Sequence, residues 1–573
     1  MIPAGGNLDE RMILFPFRWL WWLISRVRRL IGKPPEYVIF VLENEMPALP
    51  DPPPPLWQRF TSRPRLSIKE LAERFDLIIN DPRIKGVILH LRPVPMPMAT
   101  LQDLRELVGK LRQSGRRVVA WAPFYTTGTY YLACACDEIL LMPAGAVQPL
   151  GVATTGMFLK DGLARFGIEG DFVQISPYKS APDIWMKSHM SPELREQVTW
   201  LLTSQLNELL SAIGKGRVLD EKSAQALVDG SPYADDKALE MHVVDAVMPE
   251  EKLAERLGQG ADPRVTIATW ERAQKKVRIP APTLRARKYV AVLRIEGAII
   301  DGRSGKLPFK PPIEIPLVSA ERAGDLTVVQ AARRVASDKR AAAVVLYVNS
   351  RGGSATASEA MRQALDAIAA RKPLVVAMGP FAASGGYWVS TPGRWIVARP
   401  GTITGSIGVL SGKFVTGGMW SKLMFNRETI AFGQHVTMEG GERPFTDEER
   451  AIVKSHIDRI YALFLERVSK SRNMTPEEVH PIAAGRVWTG RQAFERKLVD
   501  ELGGFDAAVR KARTLAGLPD SAPAREARSP KRSMPPVAVA SAAGFVGYLL
   551  DGISLLNRAP ALAVMDYLPG DLT

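Results

Sequence analysis

The chain has 573 residues, 46% apolar and 24% charged, enough to bury substantial cores in about four folding units or fewer, larger ones. That balance excludes a polytopic membrane protein and a wholly disordered chain. The net charge of +15 is concentrated in residues 9–33 (+4) and 264–288 (+7), which argues against a nucleic-acid partner and fits a membrane surface.

Taken in chain order, residues 12–24 form an apolar, aromatic block interrupted by Arg18 and followed by Arg26, Arg28 and Arg29. The block is short for a bilayer span, and no small-residue cleavage site follows it. An interfacial helix with its tryptophans at headgroup level is expected, with a tilted span or a core helix as the alternatives. Strands are then expected at residues 37–42, 86–91 and 118–120, with helical patterns between them, and a long amphipathic helix at 191–213 opens on a Ser-Pro-Glu cap. The order returns further on, with strands at 289–295, 343–348 and 374–377 and a helix at 446–469 opened by Thr-Asp-Glu. Near the end, a stretch rich in Pro, Arg and Ser (521–536) leads into residues 535–556, apolar except for Asp551, a second weak membrane or partner-binding segment.

The recurrence is an internal duplication. With an offset of 257, residues 81–152 align without gaps on 338–409, with 16 identities in 72 positions where chance gives roughly 4 or 5. Alternating strands and helices make each copy an α/β domain of βαβ units around a largely parallel sheet. The expected organisation is a membrane-associated segment at 1–35, a first repeat at 36–262, a basic linker at 263–285, a second repeat at 286–517 and a Pro/Arg-rich tail with an apolar segment at 518–573.

The copies differ where chemistry would sit. In the second, one strand runs into Asn349-Ser-Arg-Gly-Gly-Ser354 and the next into Gly379-Pro-Phe-Ala-Ala-Ser-Gly-Gly-Tyr387. A glycine pair lets backbone amides approach a ligand, and a small-small-Ser-Gly-Gly turn presents a hydroxyl at a helix start. Together they describe a nucleophile, Ser384, beside an oxyanion hole, for which Gly353 and Gly385 are the candidate donors. In the first copy the same positions read Arg92-Pro-Val-Pro-Met96, and Thr127 falls on Ser384. None of the six histidines sits in a triad motif. Lys179, in Ser176-Pro-Tyr-Lys-Ser-Ala181 after the strand-like run 172–175, is a candidate base, since burial can hold a lysine neutral. The aligned region of the second copy, near Gln434 and His435, has no lysine. Ser350, Ser354 and Ser406 read as local hydrogen-bonding residues, with Ser406 also placed to orient the lysine, and Tyr387 and Trp388 as packing beneath the site. Cys134 and Cys136, the only cysteines, support neither a disulfide framework nor a metal cluster, so no metal or cofactor is expected.

Residues 36–517 resemble the long, tandem-repeat form of the signal peptide peptidase A (protease IV) family. The motifs that carry the resemblance are Asn349-Ser-Arg-Gly-Gly-Ser, Ala382-Ala-Ser-Gly-Gly-Tyr, Thr404-Gly-Ser-Ile-Gly, Gly485-Arg-Val-Trp-Thr-Gly and Tyr178-Lys-Ser-Ala. The resemblance implies two tandem Clp-protease/crotonase-like domains and a Ser/Lys dyad split between the repeats, with Ser384 as nucleophile and Lys179 as general base. It further implies a membrane-associated homo-oligomer, a tetramer, at the bacterial cytoplasmic membrane, whose partners are cleaved signal peptides and other hydrophobic or unfolded segments. Arg351 stands where the family carries proline, and Pro182-Asp183 where it prefers Val-Glu-Pro. Two other functions share this fold: a crotonase-type acyl-CoA enzyme and a catalytically inactive membrane scaffold.

Overall fold

The computed structural model describes Trp19, Trp22 and residues 32–51, 65–258, 264–279, 288–306, 321–527 and 571–572. Apart from Trp19 and Trp22, the expected interfacial block 12–24 lies outside the described residues, as does the apolar segment 535–556. Trp22 is buried and donates from Nε1 to Ile279 O at 3.1 Å. No helix among the described residues is long and apolar enough to cross a membrane.

The chain forms two compact units. One comprises Met1–Val152, Leu206–Arg285 and Asp571–Thr573, the other Ala153–Gln205 and Ala286–Gly570. These units depart from the repeat boundaries at 36–262 and 286–517, because residues 153–205 of the first repeat belong with the second unit. The physical reason is a strand pairing. Glu169–Gln174 runs antiparallel to Leu410–Val415, with Asp171 opposite Lys413, so backbone hydrogen bonding and the burial of both charged residues tie the excursion to the second unit.

In the first unit a seven-stranded sheet has the order Tyr233–Ala234, Glu138–Gln148, Arg117–Thr126, Gly86–Leu91, Tyr37–Leu42, Ile267–Thr269, with Ala246–Val247 also on Glu138–Gln148. All pairings are parallel except that of Tyr233–Ala234. Gly86–Leu91 is buried along its whole length, as expected of a parallel strand covered on both faces. The helix Ile68–Ile79 shows how the sequence directs this: Ser67 and Glu70 close a capping box, and Ile68, Leu71, Phe75 and Ile78 recur at helical spacing and bury one stripe in the core.

The second unit repeats the scheme with eight strands, ordered Val487–Thr489, Ile403–Gly405, Leu374–Ala383, Ala341–Ser350, Tyr289–Glu296, Ala524–Glu526, with Trp395–Ala398 and Glu501–Leu502 off that path. At the offset of 257, the continuous strand Glu138–Gln148 corresponds to two strands here, Trp395–Ala398 and Ile403–Gly405. The expected strand at 374–377 is longer, Leu374–Ala383, because its ladder resumes at Ser350 opposite Ala382 after a register shift past Val348. That extension carries the chain to Ser384.

Candidate active site

Ser384 ends the strand Leu374–Ala383 and precedes the short helix Gly385–Trp388. Its backbone, at φ 53° and ψ −116°, occupies a region that a non-glycine residue enters only under strain, a cost of order 1–3 kcal/mol. The conformation is held by neighbours. Ser384 N donates to Gly405 O at 2.9 Å, and beneath it Tyr387 donates from its hydroxyl to Leu498 O at 2.8 Å while Trp388 stacks on Phe464. The serine side chain makes no helix-capping bond, so its hydroxyl is not consumed by the helix it precedes.

Lys179 reaches this hydroxyl from the excursion. Its Nζ lies 3.0 Å from Ser384 Oγ, 3.0 Å from Ser406 O and 2.9 Å from Ser406 Oγ, and the residue is 1% exposed. Burial away from solvent disfavours the ammonium and brings the lysine down to about 7 from its ordinary 10.5. The lysine and the serine, from different repeats, therefore meet inside one compact unit.

The excursion is fixed on several sides. Ile175 N donates to Val409 O at 3.0 Å, Val487 N donates to Gln197 Oε1 at 2.9 Å, and Gln492 Nε2 donates to Trp200 O at 3.1 Å. Trp200 stacks on Trp488 with centroids 4.8 Å apart, and Tyr178 stacks on Trp200 and carries the Arg486 guanidinium 3.9 Å over its ring. Gly485, at φ 82°, permits the closest approach, since a Cβ there would sit 2.6–2.7 Å from the N, Cα and Cβ of Lys179. Glycine is required at that point of the Gly-Arg-Val-Trp-Thr-Gly motif because it touches the lysine backbone.

On the other side, Gly352 N is taken by Ser350 Oγ at 3.1 Å, which leaves Gly353 as the pair's candidate donor. Gly353 has φ 151°, and a Cβ would fall 2.0 Å from Ile299 O, so only glycine fits. A Cβ on Gly385 would lie 3.3 Å from Gly353 N, which puts the two candidate oxyanion residues side by side at the serine turn. Ser354 caps the helix Ala355–Ala369, and Arg351 lies 3.9 Å over the Phe381 ring. Gln197 was not among the sequence candidates, and no motif marks it; the contact half of Gly485's role was invisible because its partner is some 300 residues away in the chain.

Comparison with known proteins finds relatives that span both repeats. The profile of peptidase family S49 matches residues 110–264 and 366–519, one span in each repeat. The chain is similar to a protein named serine protease SPPA, chloroplastic, from Arabidopsis thaliana, at 28% identity over 471 residues, 81% of this chain and 68% of that one. It is similar to proteins named protease 4 from Haemophilus influenzae, 31% identical over 450 residues (76% and 71% of the two chains), and from Salmonella typhi, 31% over 463 residues (77% and 70%). With both repeats matched and a buried lysine beside a strained serine, the chain belongs to peptidase family S49 and is a serine-type peptidase.

Proposed function

We propose that Ser384 is the nucleophile and Lys179 its general base in an endopeptidase that degrades cleaved signal peptides and other hydrophobic or unfolded segments. The observation that carries this reading is the 3.0 Å approach of a fully buried lysine Nζ to Ser384 Oγ. A lysine at about 7 is largely neutral at and above physiological pH and can accept a proton. In this mechanism Nζ takes the Ser384 proton as Oγ attacks the scissile carbonyl carbon. The amides of Gly353 and Gly385 stabilise the oxyanion that forms. Collapse breaks the C–N bond, the new ammonium gives its proton to the leaving amine, and an acyl-enzyme remains. Water then attacks the ester with Lys179 again as base, and Oγ leaves with the returned proton. Ser406, bonded to Nζ through both Oγ and O, keeps the amine aimed at the serine.

The proposal extends to fold family, membrane association and assembly. The matching strand order of the two sheets supports a Clp-protease/crotonase-like fold for each repeat. Association with a membrane and assembly as a homo-oligomer, a tetramer as in the family it resembles, are supported by the basic, aromatic N-terminal sequence and by exposed apolar side chains on the second unit, among them Met424, Ile430 and Phe432 at 86–90% exposure.

The test is labelling with a fluorophosphonate probe together with hydrolysis of a casein-type substrate. Ser384→Ala and Lys179→Ala are each expected to lose about 10⁴-fold or more in kcat, and the double variant little beyond either, because the two groups act as one unit. Losses that multiply in the double variant would exclude the dyad.

A further inference from the structure

The turn Ala484–Arg486 supports Lys179 in two ways. Gly485 lies against the lysine main chain, and Arg486 O accepts from Ser406 N at 2.6 Å, which holds the residue that binds Nζ. The turn is an unfavourable one, with Ala484 at φ 52° followed by Gly485 at φ 82°, so something must maintain it. Two hydroxyls do so. Ser176 donates from Oγ to Ala484 O, and Ala484 N donates to the hydroxyl of Tyr461 at 3.0 Å. Tyr461 is 6% exposed on the helix Asp447–Arg472, and its hydroxyl is also 3.1 Å from His480 Nδ1. Ala484 N is therefore a buried donor whose acceptor is a side chain from a separate element.

We infer that Tyr461 is a positioning residue for the general base, seating Lys179 through the Ala484–Gly485 turn; this rests on the proposed role of Lys179. Without the hydroxyl, Ala484 N has no acceptor, the strained turn relaxes, and the lysine loses both its backbone support and the placement of Ser406. The amine then becomes better solvated and more basic, so less of it is neutral at a given pH. Charged groups on the elements around the lysine are already engaged: Arg486 and Glu196 both bind Tyr178.

The experiment compares kcat, KM and the pH profile of kcat for the full-length wild type, Tyr461→Phe, Ser176→Ala and Lys179→Ala. Tyr461→Phe is expected to lower kcat about tenfold with KM within about twofold, and to move the acid limb of the profile upward by about half a unit or more. Ser176→Ala, which removes the other tie on Ala484, should move both in the same direction. A folded Tyr461→Phe protein with wild-type kcat and profile overturns the inference, as does a loss of kcat with the acid limb unmoved. Should Tyr461→Phe fail to fold, Ser176→Ala decides on the same criteria. Lys179→Ala separates the two levels: retained activity there removes the base assignment and the inference with it, whereas an inactive Lys179→Ala beside an unaffected Tyr461→Phe removes the inference alone.

Discussion

The strand-to-helix junctions at Thr126–Thr127 and Ala383–Ser384 occupy the same step of the same topology, and they have been put to different uses. In the first unit, Thr126 sits at φ −80° and ψ 173° and closes a capping box with Thr129, so the hydroxyls satisfy the start of a regular seven-residue helix. In the second, the corresponding helix has four residues, its preceding residue has φ 53°, and no side chain caps it. Each junction even keeps the same neighbour, since Thr127 Oγ1 lies 3.5 Å from Gln148 O and Ser384 N donates to Gly405 O, the position 257 residues on. A hydroxyl that caps a helix is occupied; one held in a strained turn, with a buried amine beside it, is available for chemistry. The difference lies in a few residues around a shared frame, chiefly the glycine pair and the lysine.

If that contrast is right, changes that make the second site resemble the first should be the most damaging. Gly353→Ala places a Cβ against Ile299 O and displaces the proposed oxyanion donor, so kcat should fall about 10²–10³-fold while a buried-tryptophan fluorescence spectrum stays native. A loss below about threefold would remove Gly353 from the oxyanion hole. Next in size is the pH dependence. With Lys179 at about 7, kcat should drop roughly tenfold per unit as pH falls below that value. A flat profile from about pH 6 to 10 would speak for a different base.

The same lysine affects stability with a definite sign. Its folded-state value lies below the unfolded 10.5, so the unfolded chain binds more protons between about 7 and 10.5, and stability from this group rises with pH through that window. Below about 7 the full cost of burying the charge is present. Lys179→Met should therefore stabilise the fold by a few kcal/mol at pH 6, with the gain shrinking toward pH 10 in urea titrations. Equal gains at both pH values would show that the lysine is not buried as a charge-sensitive group. The smallest expected effect is the reverse transplant. Thr127→Ser leaves Pro95 and Met96 where the glycines should be, so active-site titration with a serine-directed probe should still give at most one equivalent per chain. Two equivalents would mean that the first site lacks only a primary hydroxyl.

Much of this was legible in the sequence because it is local. The strands expected at 343–348 and 374–377 and the Ser-Gly-Gly turn are short-range patterns whose residue types state their backbone needs, and the duplication shows on aligning the chain with itself. Lys179 was reachable through its place after the strand-like run 172–175, the Tyr178-Lys-Ser-Ala motif and the contrast with the lysine-free segment near Gln434. The transfer of residues 153–205 to the second unit was not legible, because it depends on the pairing of Glu169–Gln174 with a strand some 240 residues later. The positive φ of Ser384 and Ala484 also left no trace, since serine and alanine carry no preference for that region, and the tertiary frame imposes it. Gly485 was visible as a motif member, but its reason, contact with the lysine backbone, is a property of the fold.

The separation of the two proposed reacting side chains along the chain also sets when the proposed site is first complete. Lys179 and Ser384 are 205 residues apart, and the strand that holds the lysine-bearing excursion ends at Val415. At a synthesis rate of about 5–20 residues per second, the ribosome needs roughly 10–40 s after making the lysine before the serine exists. During that interval the nascent first repeat carries the proposed base without its proposed nucleophile. On the proposed dyad, distributing the chemistry across the two repeats delays proteolysis until both have been made.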